Sequence, residues 1–333
     1  MRWYNLILLS GALPPVVTAK EYYFDGSAPT NGNGRPSSPY DSLEHLGTLK
    51  IGPGDDILLK RGTRFNQSLV LNASGSVDAP ITIQAYGHTS QPLPVIAGRS
   101  TELSSVLLLG TSHVVMQDLE ITNLGDNTTA RRGVYVYAED SGEVKDLILR
   151  RLYIHDVHGY MPSTTDGGLP VGKYSNASGG IVLEAAGNFT PTYFTDIIVE
   201  DNFIHSVARE GIYTWSNWCQ REALAAFWHP LCTQPWYASR GLKVRRNHLQ
   251  DIGGDGIVVT GNVDAVVSHN HLTNFNVDSG GYNAGIWTAN SDGSLFQYNV
   301  VSGGKTTMDG MFAPQPSIIN SALTSALIAI LDS

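Results

Sequence analysis

Short apolar runs that alternate with polar residues recur through the second half of the chain. Four of them carry Asn in the same slot before a turn, at residues 199–204, 244–249, 267–272 and 296–301. Gly-Ile pairs begin at Gly211, Gly256 and Gly285, and a Gly-Met pair begins at Gly310. Alternation predicts strands with one apolar side, and Asn-to-Asn intervals of 23 and 29 residues are typical of solenoid repeats. We therefore predict the coils of a parallel β-helix.

The repeated Asn is expected to lie at a turn. There it tolerates a left-handed backbone and can hydrogen-bond the Asn of the coils above and below. The longer intervals predict inserts at residues 157–179 and 216–239, and inserts of repeat proteins cluster on the binding face. A β-sandwich also has short strands separated by turns, but it gives no reason for Gly-Ile pairs at matching offsets.

Composition favours one large folded domain. The 333 residues are 42% hydrophobic, which is enough chain to bury a core, and no Pro-, Ser- or Gly-rich linker divides them. The chain has 30 Asp and Glu against 21 Lys and Arg, with a formal net charge of −9 and no basic stripe. This charge argues against a nucleic-acid partner.

The first residues have the features of a secretory signal peptide. Arg2 precedes an apolar stretch at residues 6–17 that is too short for a membrane span, and Val17-Thr18-Ala19 supplies a small-residue cleavage site. We assign residues 1–19 to this signal and expect a secreted, extracellular protein.

Potential glycosylation sites and the two cysteines agree with export. The acceptors of the five sequons are Asn66, Asn72, Asn127, Asn176 and Asn188. Cys219 and Cys232 lie 13 positions apart in the second insert. An oxidising compartment favours a disulfide between them, and a closed loop of this size would contribute about 3 kcal/mol on the chain-entropy model. Two free thiols are the alternative.

Several segments resemble a known superfamily. Residues 22–27, 53–62 and 79–87 resemble the opening coils of secreted right-handed parallel β-helix proteins of the pectate-lyase-like superfamily. Residues 283–287 and 296–299 show the same resemblance. It implies an all-β, right-handed parallel β-helix domain over residues 20–311. It does not imply one reaction, because the superfamily includes polysaccharide lyases, glycoside hydrolases, sugar epimerases and modules without catalysis.

The last residues, 312–333, depart from this pattern. Apolar residues over 318–331 recur at helical spacing, which predicts one helix with Ser317 as its N-cap. Such a helix would cover the open end of the solenoid, where unpaired strand edges invite association. A truncated product and a lipid-anchor signal are the alternatives.

Counting from the Gly of each Gly-Ile pair predicts which side chains face outward. Residues one and three positions after the Gly face the core, and residues two and four positions after it face away. The candidate substrate-binding residues among the outward ones are Tyr135, Tyr137, Glu184, Tyr213, Trp215 and Trp287. Rows of aromatic rings suit stacking against sugar rings. The alternative is that loops of the inserts cover them.

Carboxylates share the position before the Gly of three coils, and we predict Glu210, Asp255 and Asp309 as catalytic. Stacked strands would place Glu210 and Asp255 about 4.8 Å apart, and Asp255 and Asp309 about 10 Å apart. The carboxylate pairs of glycosidases are about 5 to 9.5 Å apart. The alternative is that acidic residues before Gly only form turns, which holds for Asp better than for Glu.

Further polar residues suggest other chemistry. His155 and His205 fall at matching places in successive coils, which predicts either a stacked structural ladder or a catalytic or metal-binding pair. Arg209 is also a candidate substrate ligand. Basic residues that could serve a lyase as base or carboxylate clamp, or form solvated strand faces, are Arg209, Lys243, Arg245 and Arg246. No metal-ligand spacing stands out, although Asp residues on stacked turns could hold Ca²⁺.

These features predict a secreted, monomeric enzyme that cleaves a polysaccharide, foremost a glycoside hydrolase with paired carboxylates. The second interpretation is a polysaccharide lyase or epimerase with an Arg or Lys base and Ca²⁺ as cofactor. The acidic net charge makes a polyanionic substrate less favourable for it. The third interpretation is a non-catalytic glycan-binding or wall-associated β-helix protein.

Overall fold

The fold is all-β and is built from parallel strands of successive coils stacked around one core, as in a β-helix. The structure is a computed structural model that describes residues 19–99, 101–161, 177–227, 231–278 and 283–304, and the backbone of two short strands near the C-terminus. The predicted parallel β-helix is confirmed. The predicted signal peptide, except Ala19, lies outside the described residues.

One coil passes through four sheets, which we number in chain order. A representative coil runs from Ile198–Glu200 in sheet 1 to Phe203–Val207 in sheet 2 and Glu210–Ser216 in sheet 3. It then crosses the second insert and returns through Ser239–Arg240 in sheet 4. Every neighbouring pair within these four columns of described coils is parallel, because each coil enters a sheet in the same direction.

Sheets 1 and 2 form the two walls that meet at the Asn turn. The strands of sheet 1 are Glu21–Phe24, Asp56–Lys60, Ile81–Tyr86, Val114–Gln117, Leu147–Arg150, Ile198–Glu200, Lys243–Arg245 and Val266–Ser268. The strands of sheet 2 are Arg64–Phe65, Val95–Ala97, Glu120–Asn123, Tyr153–Val157, Phe203–Val207, His248–Ile252 and His271–Phe275. The long strand Leu295–Ser302 continues both sheets.

Sheets 3 and 4 complete the coil. The strands of sheet 3 are Leu69–Leu71, Ser104–Leu109, Arg132–Glu139, Gly179–Ala186, Glu210–Ser216, Ile257–Thr260 and Ile286–Ala289. The strands of sheet 4 are Glu143–Lys145, Tyr193–Thr195, Ser239–Arg240 and Asn262–Val263. Short 3₁₀ helices lie at Leu43–Thr48 and, within the second insert, at Glu222–Phe227. Two further strands of that insert, Trp218–Gln220 and Gln234–Pro235, pair with each other.

The inward side chains of sheets 1, 2 and 3 form one continuous apolar core along the solenoid. Val199, Ile204 and Ile212 of one coil are almost completely buried, as are Val244, Leu249 and Ile257 of the next coil. Because strand side chains alternate between two faces, a register slip of one residue would expose this whole set. The alternation seen in the sequence therefore fixes how the coils stack.

The Asn residues form the predicted ladder. Asn202, Asn247, Asn270 and Asn299 are buried, and the side-chain amide of each of the first three donates to the side-chain oxygen of the next Asn at 2.9 to 3.0 Å. The backbone part of the prediction is wrong. The left-handed residue is the one before each Asn, as at Asp201 with φ 56°. The Asn side chain is buried, and its amide also donates to a backbone carbonyl of the preceding coil, as that of Asn247 does to Val199 at 2.9 Å.

The predicted C-terminal helix is wrong where the structure describes the backbone. Ser317–Ala322 is a strand antiparallel to Leu295–Ser302, and Ile328–Ala329 is antiparallel to Ile286–Ala289. The last coil offers unpaired N–H and C=O groups. Strand pairing with these groups outweighs the helical spacing of the apolar residues. The β-branched residues Ile318 and Ile319 have only weak helix propensity.

None of the helices in the described ranges has the length and hydropathy that crossing a bilayer requires.

Candidate active site

Sheet 3 has the register that the Gly-Ile pairs predict. Ile212 pairs with Ile181 on one side and with Ile257 on the other, and Ile257 pairs with Ile286. Val134 extends the same column in the other direction, since it pairs with Ile181. The outward positions of neighbouring coils are therefore aligned as columns. The position before the Gly and the positions two and four after it are the ones that carry the candidate chemistry.

Glu210 and Asp255 lie on neighbouring rungs, as predicted. The backbone N–H of Gly211 donates to the carbonyl of Asp255 at 2.9 Å, which ties the two rungs at this point. Both side chains are buried, with an exposed fraction of 0% for Glu210 and 1% for Asp255. A buried charge is stable only when it is paired and hydrogen-bonded. The surroundings of these carboxylates therefore have to supply partners.

Arg209 supplies one partner to both carboxylates. Its Nε lies 3.0 Å from Oε1 of Glu210, and its Nη2 lies 3.3 Å from Oδ2 of Asp255. Its Nη1 donates to the side-chain oxygen of Asn283, one coil further along. The Arg209 side chain is 2% exposed. The Arg209 guanidinium is therefore engaged with these buried groups, and its role as a substrate ligand stays a prediction.

Asp255 accepts further hydrogen bonds from the next coil. The backbone N–H of Ala284 donates to its Oδ1 at 2.7 Å, and the indole N–H of Trp287 donates to the same atom at 2.9 Å. Such donors stabilise a carboxylate and fix its orientation. Trp287 is half-buried, so it is the contact of Asp255 in the described structure that reaches toward the surface.

Glycines leave room for this cluster. A Cβ at Gly254 would lie 2.6 Å from the carbonyl oxygen and 2.8 Å from Nη1 of Arg209. A Cβ at Gly179 would lie 2.7 Å from the carbonyl oxygen of Glu210. Real Cβ atoms do not approach backbone atoms this closely, so any larger residue at either position would displace the charged groups.

The predicted aromatic column faces away from the main core, but it is not a solvent-facing row. Tyr213 and Trp215 are 1% and 6% exposed and belong to a second apolar cluster on the outer side of sheet 3. The other members of that cluster are Ala177, Val182, Cys219 and Val258. Tyr135 and Trp287 pack against it and remain partly exposed. For Tyr213 and Trp215, the alternative that other segments cover the rings is therefore the correct one.

A second polar group lies further along sheet 3. The phenol of Tyr135 donates to Oε2 of Glu184 at 2.9 Å, and the guanidinium of Arg132 lies 4.3 Å from the centre of the Tyr135 ring. Burial and the charge of Glu184 raise the pKa of Tyr135, and burial lowers the pKa of Arg132. Tyr137 donates instead to Glu139 at 2.8 Å. Burial, followed by this hydrogen bond, raises the pKa of Tyr137.

Arg132 is the residue of this face that the sequence interpretation missed. It occupies the same position before Gly as Glu210 and Asp255, because Arg132 pairs with Gly179 and Gly179 pairs with Glu210. Two rungs, or about 10 Å, separate Arg132 from Glu210. Extending the count before Gly to the coil of Gly133 would have found it.

The second insert is attached to the coils. Cys219 and Cys232 form the predicted disulfide, with Cα atoms 5.2 Å apart. Arg221 forms an ion pair with Asp292, and its guanidinium lies 5.1 Å from the ring centre of Trp236. The insert therefore spans from the coil of Gly211 to the coil of Gly285.

Other predicted residues lie away from this face or outside the described ranges. His155 and His205 are paired on sheet 2 with ring centres 5.2 Å apart, so the stacked ladder is confirmed. Arg245 and Arg246 lie at sheet 1 and bind Glu200. The predicted catalytic Asp309 and the predicted glycosylation site Asn176 lie outside the described residues. The exposed sequon acceptors are Asn66, Asn72, Asn127 and Asn188.

The predicted Ca²⁺ finds no ligand set in the part of the chain that the structure describes. No group of three or more His, Cys, Asp or Glu residues there is arranged to hold a metal ion. The described residues therefore offer no site for Ca²⁺.

Comparison with known proteins identifies distant relatives. No family model matches the chain. The chain is 26% identical to lacto-N-biosidase of Bifidobacterium longum subsp. longum over an alignment of 353 positions, gaps included, which covers 83% of this chain and 21% of that protein. The native crystal structure of GH136 lacto-N-biosidase from Eubacterium ramulus matches with a TM-score of 0.75 and 25% identity, covering 88% of this chain and 53% of that chain. Its selenomethionine derivative matches with a TM-score of 0.74.

The chain thus spans about half the length of the solved relative and about a fifth of the length of the curated relative. Both relatives are glycoside hydrolases, and this chain is distantly homologous to them.

Proposed function

We propose that this chain is the β-helix of a glycoside hydrolase that cleaves a glycan, with Glu210 and Asp255 as its catalytic carboxylates. The observation that carries the proposal is the match to lacto-N-biosidase, which extends over 88% of this chain at 25% identity. The substrate of that enzyme class, a glycan that ends in lacto-N-biose, is the first one to test. The acidic net charge also favours a neutral substrate.

The rung geometry supports a retaining mechanism. Carboxylates on neighbouring strands start about 4.8 Å apart, and retaining glycosidases hold their two carboxyl groups about 5 to 5.5 Å apart. Asp255 accepts hydrogen bonds from Arg209, Ala284 and Trp287, which fix the orientation that a nucleophile needs. Glu210 is then the acid and base. We place the sugar beside the partly exposed ring of Trp287.

In the first step, Asp255 would form a bond to the anomeric carbon while the glycosidic bond breaks. The departing oxygen would take the proton of Glu210. In the second step, water would give a proton to Glu210 and attack the anomeric carbon, and the bond to Asp255 would break.

The positions of the basic residues weigh against a lyase. Arg209 is engaged by two carboxylates, and Arg246 lies at sheet 1, bound to Glu200 and Asp201. A lyase base must be within reach of the proton that it removes. Each guanidinium is bound to two carboxylates and stays protonated, so neither can act as the base, whereas Glu210 and Asp255 lie at the start of sheet 3 on neighbouring coils.

We also propose that the protein is secreted, glycosylated and monomeric. The disulfide and the exposed acceptors of four sequons support export through an oxidising, glycosylating pathway.

The test is incubation of the secreted full chain with three substrates, followed by chromatography of the products and absorbance of unsaturated uronates. The substrates are a lacto-N-biose-terminated oligosaccharide, a neutral plant polysaccharide and polygalacturonate. We expect release of a reducing sugar from a neutral glycan without unsaturated product. Unsaturated uronate would establish a lyase instead, and binding without any cleavage would favour the non-catalytic interpretation.

A further inference from the structure

The cation between the two candidate carboxylates holds groups of three successive coils. Arg209 and Glu210 belong to the coil of Gly211, Asp255 belongs to the next coil, and Asn283 belongs to the coil after it. Asn283 is in turn fixed, because its amide donates to Asn276 at 2.8 Å. The guanidinium has a planar set of donors in fixed directions. A single side chain therefore contacts both carboxylates, Glu210 through an ion pair and Asp255 through a hydrogen bond.

The backbone is shaped to hold this cation. Arg209 has φ 65°, the left-handed conformation that turn residues of several coils share, including Asp201 and Arg246. Gly254 packs against its carbonyl and its Nη1, where no Cβ would fit.

The structure also contains a structural counterpart of Arg209. Arg246 has φ 54°, and its guanidinium also binds two carboxylates, with Nη2 2.7 Å from Glu200 and Nε 2.7 Å from Asp201. Its side chain is 46% exposed, against 2% for Arg209. Water screens the charges around Arg246, whereas charges in a buried site act on each other much more strongly.

We infer that Arg209 is a positioning residue that sets the geometry and the ionisation of the Glu210–Asp255 pair and does not bind the substrate. This inference rests on the proposed function. Two carboxylates so close together repel each other when both are ionised, and the guanidinium between them offsets that repulsion. The fixed directions of the guanidinium N–H groups would keep both carboxylates directed at the same sugar.

The test compares Arg209→Gln, which removes the charge, with Arg209→Lys, which keeps the charge but loses the fork. Arg246→Gln is the matched control. For Arg209→Gln we expect kcat to fall about 10²-fold or more with KM within about threefold. The acid limb of its pH profile should move up by about one unit or more. For Arg209→Lys we expect a loss of about tenfold in kcat and an unmoved acid limb. Arg246→Gln should match the wild type in kcat, KM and acid limb.

Carboxyl titrations separate this inference from the proposed function. Nuclear magnetic resonance of protein with isotope-labelled Asp and Glu side chains follows the titration of Glu210 and Asp255. Their titration midpoints should rise in Arg209→Gln and should stay at the wild-type pH in Arg209→Lys. This readout needs no substrate, so it tests Arg209 even if no glycan is cleaved. Unmoved midpoints, or a pure KM increase in Arg209→Gln with an unchanged acid limb, would overturn the inference. If Arg209→Gln does not fold, Arg209→Lys still tests the inference, because a wild-type kcat in that variant would overturn it.

Discussion

At the scale of single residues, the candidate chemistry depends on buried charges. Glu210, Asp255 and Arg209 are each at most 2% exposed, so none of them is stabilised by bulk water. Removing one member of a buried ion pair is far more costly than removing an exposed partner. Substitutions here must therefore be judged by activity and by folding together. A polar isostere is the appropriate change, since it keeps the volume and part of the hydrogen bonding.

The first prediction concerns the carboxylates. Glu210→Gln and Asp255→Asn should each lower kcat about 10²-fold or more, because the amide cannot transfer a proton or attack the sugar. Each should also lower the free energy of unfolding by about 1 to 3 kcal/mol, since a buried hydrogen-bonded group is altered. Steady-state kinetics and urea unfolding measure the two effects.

Glu143→Gln is the control for these variants, because Glu143 pairs with Lys145 at the exposed face of sheet 4. It should retain wild-type kcat and stability. Normal turnover in both Glu210→Gln and Asp255→Asn would contradict the catalytic assignment. Loss of soluble protein without loss of specific activity would favour a purely structural cluster.

At the scale of strands and turns, stacking brings equivalent positions of successive coils into contact. The result is an inner ladder of Asn amides and an outer ladder of rings on sheet 2. His205 stacks on His155, and His248 lies against His271 with ring centres 4.9 Å apart. The two ladders should respond differently to perturbation, because amides do not titrate and imidazoles do.

The second prediction concerns the Asn ladder. Asn247→Ala should lower the free energy of unfolding by about 2 to 4 kcal/mol, because more than one buried partner loses its hydrogen bond. The amide of Asn247 donates to the carbonyl of Val199 and to Asn270, and its oxygen accepts from Asn202. Asn31→Ala is the control, since Asn31 is exposed and is not part of the ladder. Equal losses in urea unfolding would contradict the ladder's role.

The third prediction concerns pH. Burial and the neighbouring His155 lower the pKa of His205, although Asp156 and Asp251 act in the opposite direction. Burial and the neighbouring His271 lower the pKa of His248. The unfolded chain then binds protons at higher pH than the folded chain does. The stabilising contribution is therefore complete above the ordinary His pKa of about 6.5 and is lost as pH falls through the lower, folded value.

Melting temperatures at about pH 7.5 and about pH 5.5 check this prediction. The decrease on acidification should be smaller in a His205→Gln, His248→Gln variant than in the wild type. Carboxylates titrate in both proteins, so the difference between the two decreases isolates the imidazoles. An identical decrease in both proteins would contradict it.

At the scale of the whole molecule, the coils form a quasi-linear stack to which the second insert adds a cross-connection. Each coil contacts mainly its neighbours, whereas Arg221 of the insert reaches Asp292, 71 positions later in the chain. The carbonyl of Cys219 likewise accepts from the side chain of Asn290 at 2.9 Å. The disulfide closes the loop that makes these contacts, so it should order the insert without supporting the distant coils.

The fourth prediction follows from this arrangement. A Cys219→Ser, Cys232→Ser variant should keep a β-type far-ultraviolet circular dichroism spectrum, because the core of sheets 1 to 3 does not include the insert. Trypsin should cleave after Arg221 about tenfold faster or more, since losing the cross-link costs the loop about 3 kcal/mol on the chain-entropy model. Collapse of the whole spectrum would contradict this division between insert and coils.

The sequence by itself determined the coil and its register. Alternation with period two leaves one stacking that buries the apolar side, so the count from Gly211, Gly256 and Gly285 placed Glu210 beside Asp255. It also indicated the Asn ladder, because identical amides at matching positions of a stack can bond each other. These properties depend on residues close in sequence and on a repeated geometry.

Only the tertiary structure decided what covers the outward face. Period two separates inward from outward positions, but it cannot tell whether an outward residue meets water or another segment. Tyr213 and Trp215 are covered by a second apolar cluster, and Arg209 reaches Asn283, 74 positions later in the chain. Such contacts depend on inserts whose path has no repeat. The carboxylates were therefore predictable as neighbours, whereas their burial and the cation between them were not.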